Sequence, residues 1–205
     1  MKISNLYLRL RRDRSGSALI EFALALPVLL LLFFGTIEIA NFVYASQKAQ
    51  SAAENIVNII NLQNNVSTSE LESMSAMMPR IVRPFLISDL QYQVIVTAMQ
   101  RDVSEPYGYI RWQKSFGMGG GASRFIYKEN GSKQENRVDL HDLDGFAFSP
   151  GDQVLVVETY MYYQPIFDNT FTQSMLGLQN SYLYHSTPPT RPRTGKFQFH
   201  PDDLI

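Results

Sequence analysis

The sequence predicts an α+β fold, in which one long N-terminal helix packs on a small antiparallel β-sheet. Three observations predict it. An uncharged run, FALALPVLLLLFFGTI, fills Phe22 to Ile37, and no helix breaker follows between Asn41 and Leu62. Further on, Gln91–Met99 and Val154–Tyr163 alternate with the period of half-buried strands. A helix first and strands afterwards is the order of an α+β chain, not of an alternating α/β one.

The first element follows a basic head. Five of the 18 basic residues (Lys2, Arg9, Arg11, Arg12 and Arg14) but one of the 19 acidic residues, Asp13, precede Gly16. The remainder carries 13 basic against 18 acidic residues, a net of −5. Such a remainder lacks the basic face that displaces counterions, so no nucleic-acid partner is expected. The head reads instead as a topology signal. From Ala18 to Tyr44 the chain is apolar apart from Glu21, Glu38 and Asn41. A helix needs about 20 residues to cross roughly 30 Å of hydrocarbon, so a membrane span fits at about 18–44. By the positive-inside rule Met1 is cytoplasmic and the C-terminal part lies outside.

Three readings of this segment compete. A secretory signal peptide has an apolar region of about 7–15 residues and a small-residue exit; the run here is longer, and Phe33, Phe34 and Ile37 give no such exit. An uncleaved signal anchor is the plain alternative. Neither explains Glu21, because a carboxylate in a membrane helix costs about 2.5–3.5 kcal/mol at mid-bilayer, and less near the interface. A processed precursor is the third reading. Glu38, 17 residues further on, lies roughly 25 Å along the helix, near the opposite membrane face. It reads as an interfacial residue reaching water or as a contact with a partner subunit.

Beyond the span, Ala45, Ala49, Ala52, Ala53, Ile56, Ile59 and Ile60 recur at three- and four-residue steps, which continues the helix to about Leu62. A separate helix after a bend near Asn41 is the alternative. Residues 64–68 read as a polar linker. Ser67 and Glu70 form a capping-box pattern that starts a short helix toward Met78, stopped by Pro79 and Pro84. Strands are predicted at Gln91–Met99, with Tyr92, Val94, Val96 and Ala98 on one face, at Tyr109–Gln113, and at Arg124–Lys128. The strongest is Val154–Tyr163, with Leu155, Val157, Thr159 and Met161 on one side. Gly117–Gly121 reads as a flexible hairpin connection, and Thr187–Pro192 as an extended tail.

The catalytic motifs are missing. With no cysteine there is no disulfide framework, thiolate metal site or Cys nucleophile. The glycine loop lacks the G-K-[ST] ending of a phosphate cradle. Asp139, His141, Asp142 and Asp144 before Gly145 lack the spacing of a calcium loop; a solvated loop is the plainer reading, a weak calcium site the other. His141, His185 and His200 are far apart, and there is no G-x-S-x-G elbow. No enzyme, cofactor or metal is expected.

A basic head ending in Gly, followed by a helix with Glu at its fifth position, is the pattern of type IV pilin-like precursors. Residues 9–62 resemble the TadE-like family of minor pseudopilins of the tight-adherence (Flp-type) pilus machinery. The likeness rests on Arg11, Arg12, Arg14 and Gly16, then Ala18-Leu19-Ile20-Glu21-Phe22-Ala23-Leu24, Pro27, Val28 to Leu32 and Gly35-Thr36-Ile37-Glu38. It continues through Tyr44, Ala45, Gln47, Ala52, Ala53 and Glu54. The resemblance implies a leader at 1–16, a pilin-like helix at 17–62 and an extracytoplasmic α+β domain at 63–205. It implies cleavage between Gly16 and Ser17 by a prepilin peptidase. The new Ser17 ammonium would pair with Glu21 of the same or a neighbouring subunit. Ser17 departs from the phenylalanine that major pilins carry there. The implied partners are other pilins and pseudopilins and the assembly platform in the bacterial cytoplasmic membrane. The implied role is fibre assembly by association, with Glu21, and secondarily Glu38, as assembly residues. The rival function is a single-pass anchored binding module, an adhesin or sensor head with an uncleaved anchor.

Overall fold

Helix α1 (Ser15–Asn61) is continuous over 47 residues, about 70 Å at 1.5 Å per residue. The computed structural model describes residues 15–63, 65–85, 92–105, 107–139, 149–167, 174, 176–177, 181–192 and 198–199. There is no break at Asn41, so the two-helix alternative is set aside. Pro27 lies inside α1 and removes one backbone donor, a loss tolerated in apolar helices of this kind.

After α1 come β1 (Asn65–Val66), α2 (Thr68–Ser75), α3 (Met78–Ile81), β2 (Tyr92–Arg101) and β3 (Gly108–Gly117). Then follow β4 (Arg137–Val138), β5 (Gln153–Tyr163), β6 (Ser181–Ser186) and β7 (Gln198–Phe199). Five strands form one antiparallel sheet in the order β4-β3-β2-β5-β6. The central pair runs from Tyr92 opposite Met161 to Gln100 opposite Gln153. The chain is α+β, as expected, with α1 laid across one face of the sheet.

Side-chain alternation decides what each face buries. Tyr92, Val94, Val96 and Ala98 of β2 and Leu155, Val157, Met161 and Tyr163 of β5 face the helix. They meet Ala45, Ala49, Ala52, Ala53, Ile56, Val57 and Ile60 of α1 in one core. Small alanines let the helix lie close to β5, and the Thr159 hydroxyl donates to the Ala49 carbonyl at 3.4 Å. Ile59 sits at the margin of this stripe, where Val57 is buried. On the opposite face Met99, Ile110, Val154 and Val156 are covered by Phe125 and Val138.

Four local expectations are corrected. Arg124–Lys128 is irregular and not a strand, because side chains take its backbone donors. The Arg124 N–H goes to the Glu158 carboxylate, the Phe125 N–H to the Ser123 hydroxyl, and the Lys128 N–H to Asn136 Oδ1. The capping box forms as predicted, Ser67 Oγ accepting from the Glu70 N–H while Glu70 accepts from the Ser67 N–H, but α2 ends at Ser75. Pro79 opens α3 and does not close α2, since the first helical turn needs no proline N–H. Residues 65–66 of the linker form β1, paired in parallel with β7 near the end of the chain. Finally, the glycine loop is fitted, not merely slack. Gly117 has φ +82°, the Gly119 N–H donates to the Tyr92 carbonyl, and a Cβ on Gly121 would overlap the Tyr160 ring.

Candidate functional site

Helix α1 changes environment part-way along. From Gly16 to Leu30 every residue is exposed, and apolar side chains such as Leu19, Leu24 and Phe33 stand clear on all sides. This is one N-terminal helix long and apolar enough to cross a membrane. Among the described residues the rest of the fold meets α1 at Phe34, whose ring lies edge-on to Phe167 with centroids 5.0 Å apart. At Gly35, where Leu176 Cδ2 lies 3.4 Å from the place of a Cβ, the helix becomes buried.

Glu38 lies one turn further on and is wholly buried. It neither reaches water nor projects outward. Its Oε1 accepts from the Tyr163 hydroxyl at 2.5 Å. The backbone N–H of Ile166 lies 3.2 Å from Oε1 and 3.1 Å from Oε2, and the Phe167 N–H lies 3.2 Å from Oε2. The Asn41 amide donates to the same Tyr163 hydroxyl at 3.1 Å. Thus a helix carboxylate holds the chain as it leaves β5, through three donors from one side chain and two successive peptides. A buried carboxylate is costly unless its lone pairs are satisfied, and here they are. Burial, and then the hydrogen bond to Glu38, raise the Tyr163 phenol well above its ordinary range, so it stays the donor.

The processing candidates lie at the other end of the bare segment. Gly16 is helical and a Cβ placed on it would meet nothing within 4 Å. The Ser17 hydroxyl donates to Glu21 Oε1 at 3.2 Å, one turn along an exposed face. The structure therefore brings Ser17 and Glu21 together and keeps Glu38 apart from both. Residues 1–14 of the leader lie outside the described residues.

Sequence reasoning missed the partners of Glu38. The signal was available: Gly35, Glu38, Phe42, Ala45, Ala49, Ala52 and Ile56 follow in steps of three and four, so Glu38 belongs to the buried stripe. It also missed Glu158, a second buried carboxylate, on the far face of β5. Glu158 accepts from the Ser123 hydroxyl, the Arg124 N–H at 3.1 Å and the Tyr184 hydroxyl at 2.8 Å. Burial and that bond push Tyr184 up to about 12. Both carboxylates tie irregular chain to the sheet or helix. Among the described residues no three His, Cys, Asp or Glu side chains could hold a metal ion. Asp139 is exposed and paired with Arg137 at 3.0 Å. The remainder of that acidic segment, 140–144, read as a solvated loop with a weak calcium site as the alternative, lies outside the described residues.

Residues 16–57 match the model of the TadE-like protein family, so the chain carries a TadE-like domain over most of α1. No curated protein and no solved structure matches the chain.

Proposed function

From a chain whose helix is a TadE-like domain, we propose a minor pseudopilin that helps assemble a tight-adherence (Flp-type) pilus or a related secretion fibre. One observation carries this reading: the matched segment 16–57 is a single helix, bare in its first half and packed on a head in its second. Such an element anchors in a membrane at one end and presents a folded domain at the other. Its work is association. Lipid provides no hydrophobic drive between helices, so packing and polar contacts must supply specificity.

In this reading a prepilin peptidase cuts between Gly16 and Ser17 on the cytoplasmic face. The ammonium freed on Ser17 is then one helical turn from Glu21, where the hydroxyl already sits. In a low dielectric the pair, within one chain or between neighbours, offsets two charges that are costly alone. The openness around Gly16 supports this account, because nothing among the described residues requires a glycine there. Glu38 contributes to assembly through position: it fixes how the head sits on the anchor. The partners are other pilins and pseudopilins and the assembly platform, and the domain beyond residue 63 lies outside the cytoplasmic membrane.

The experiment is Glu21→Ala in cells that make the fibre. Membrane insertion and abundance are expected to be unchanged and fibre assembly sharply reduced. Normal fibres from the Glu21→Ala strain would remove the proposed role of this carboxylate.

A further inference from the structure

We infer that the base of the head is seated in the outer leaflet of the bilayer that α1 crosses, through an apolar collar on α1 and the turn after β5. The inference rests on the membrane-anchor reading above. At 1.5 Å per residue, Gly16 to Phe33 spans about 25 Å and Gly16 to Tyr44 about 42 Å. A bilayer has about 30 Å of hydrocarbon and about 40–45 Å with its headgroups. Contact with the head begins at Phe34 and Gly35, before the bilayer has been fully crossed.

Apart from Thr36, whose hydroxyl donates to the Leu32 carbonyl at 2.7 Å, the face of α1 turned away from the head stays apolar through that overlap. Ile37, Ile39 and Val43 are exposed, Ile39 by 51% and Val43 by 46%. Across the helix, Ile166 in the turn held by Glu38 is 60% exposed. This surface continues that of the bare span, and beyond Tyr44 the helix turns polar. Ser46, Gln47, Gln50, Ser51 and Glu54 line its exposed side. The boundary is marked by Tyr44, whose ring lies 5.7 Å from Phe85 and beneath the Lys48 ammonium at 5.4 Å. A tyrosine with a lysine one turn outward suits the headgroup level, where amphipathic rings and cations collect.

The collar also accounts for the setting of Glu38. It stands about 33 Å along α1 from Gly16, at the edge of the hydrocarbon, where water is scarce. A carboxylate there needs its donors from the protein, and Tyr163, Ile166 and Phe167 supply them. The same bonds hold Ile166 against the membrane side.

The chain has no cysteine, so single-cysteine variants can be spin-labelled without altering any other position. The test uses the full chain at one copy per nanodisc of phosphatidylethanolamine and phosphatidylglycerol, labelled in turn at Leu29, Val43, Ile166 and Glu54. Collision with oxygen and with a polar nickel complex reads depth. Expected is an oxygen-to-nickel ratio several-fold higher at Val43 and Ile166 than at Glu54, approaching that at Leu29. Water-like ratios at Val43 and Ile166 with Leu29 still deep would overturn the collar and leave the anchor standing. Shielding of Val43 from both reagents would overturn it in favour of a protein neighbour. A water-like ratio at Leu29 would remove the anchor itself, and the collar with it.

Discussion

Tyr163→Phe isolates the link between anchor and head. The substitution removes one hydroxyl and leaves the ring, so the edge-on contact with Phe42, 5.3 Å between centroids, and the packing on Phe85 remain. Two hydrogen bonds are lost: the one donated to the Glu38 carboxylate and the one accepted from Asn41. A bond to a charged group contributes about 1.5–3 kcal/mol and a neutral one about 0.5–1.5 kcal/mol. With no cavity added, the expected loss is about 2–4 kcal/mol. Urea unfolding of the full chain in detergent micelles measures it, because the detergent holds the bare half of α1 while urea opens the head. The single Trp112, half-buried on β3, reports the transition. Amide exchange at Ile166 and Phe167, whose N–H groups share the same carboxylate, should quicken in the variant. A loss below about 0.5 kcal/mol, the range of ordinary surface substitutions, with those amides unchanged, would refute the reasoning. The carboxylate would then not be what holds the turn to the helix.

Other expectations follow from the same geometry. Gly16→Ala adds a methyl where nothing is within 4 Å, which should strengthen the helix by up to about 1 kcal/mol; a block in maturation seen by electrophoresis then reflects processing and not folding. Ser67→Ala removes the cap of α2 and should lower head stability by about 1 kcal/mol in the same urea assay. Gly121→Ala forces a methyl into the Tyr160 ring and should destabilise by about 1–3 kcal/mol, as overpacking does; an unchanged urea midpoint would mean the ring moves freely. Burial lowers the His185 pKa below its usual 6.5, against an opposing pull from Glu54. The unfolded chain therefore takes up the proton first, so stability is retained above pH 6.5 and falls as the pH drops through the folded value. His185→Gln should flatten that part of the urea-midpoint profile.

The fold was legible where one period dominates. The α1 stripe and the alternation in β2 and β5 identify the facing residues correctly, because the period of each element assigns its side chains to faces even where both faces of a strand are buried. β6 was not read from the sequence, since a short edge strand carries few buried residues with which to show a period. Arg124–Lys128 looked like a strand because its centre, Phe125-Ile126-Tyr127, is aromatic and β-branched. What decides its conformation is Glu158, Ser123 and Asn136, distant or irregular partners that local sequence does not announce. The site divides in the same way. Glu21 and Gly16 stand out as local oddities in an apolar run. The burial of Glu38 was implicit in the helical stripe, but its donors come from Tyr163, Ile166 and Phe167, more than 120 residues away. Only the packing of α1 against the end of β5 joins them.

The central claim is that a basic leader is removed to leave a membrane helix opening on Ser17, with Glu21 at its fifth position. Intact mass of the native protein, taken from the membrane fraction of cells that express the prepilin peptidase, reads this directly. The account predicts a polypeptide that starts at Ser17 and shifts to the uncut mass when the peptidase is deleted. A membrane-bound chain that keeps Met1 or its leader in the presence of the peptidase would contradict it, and would favour an anchored binding module.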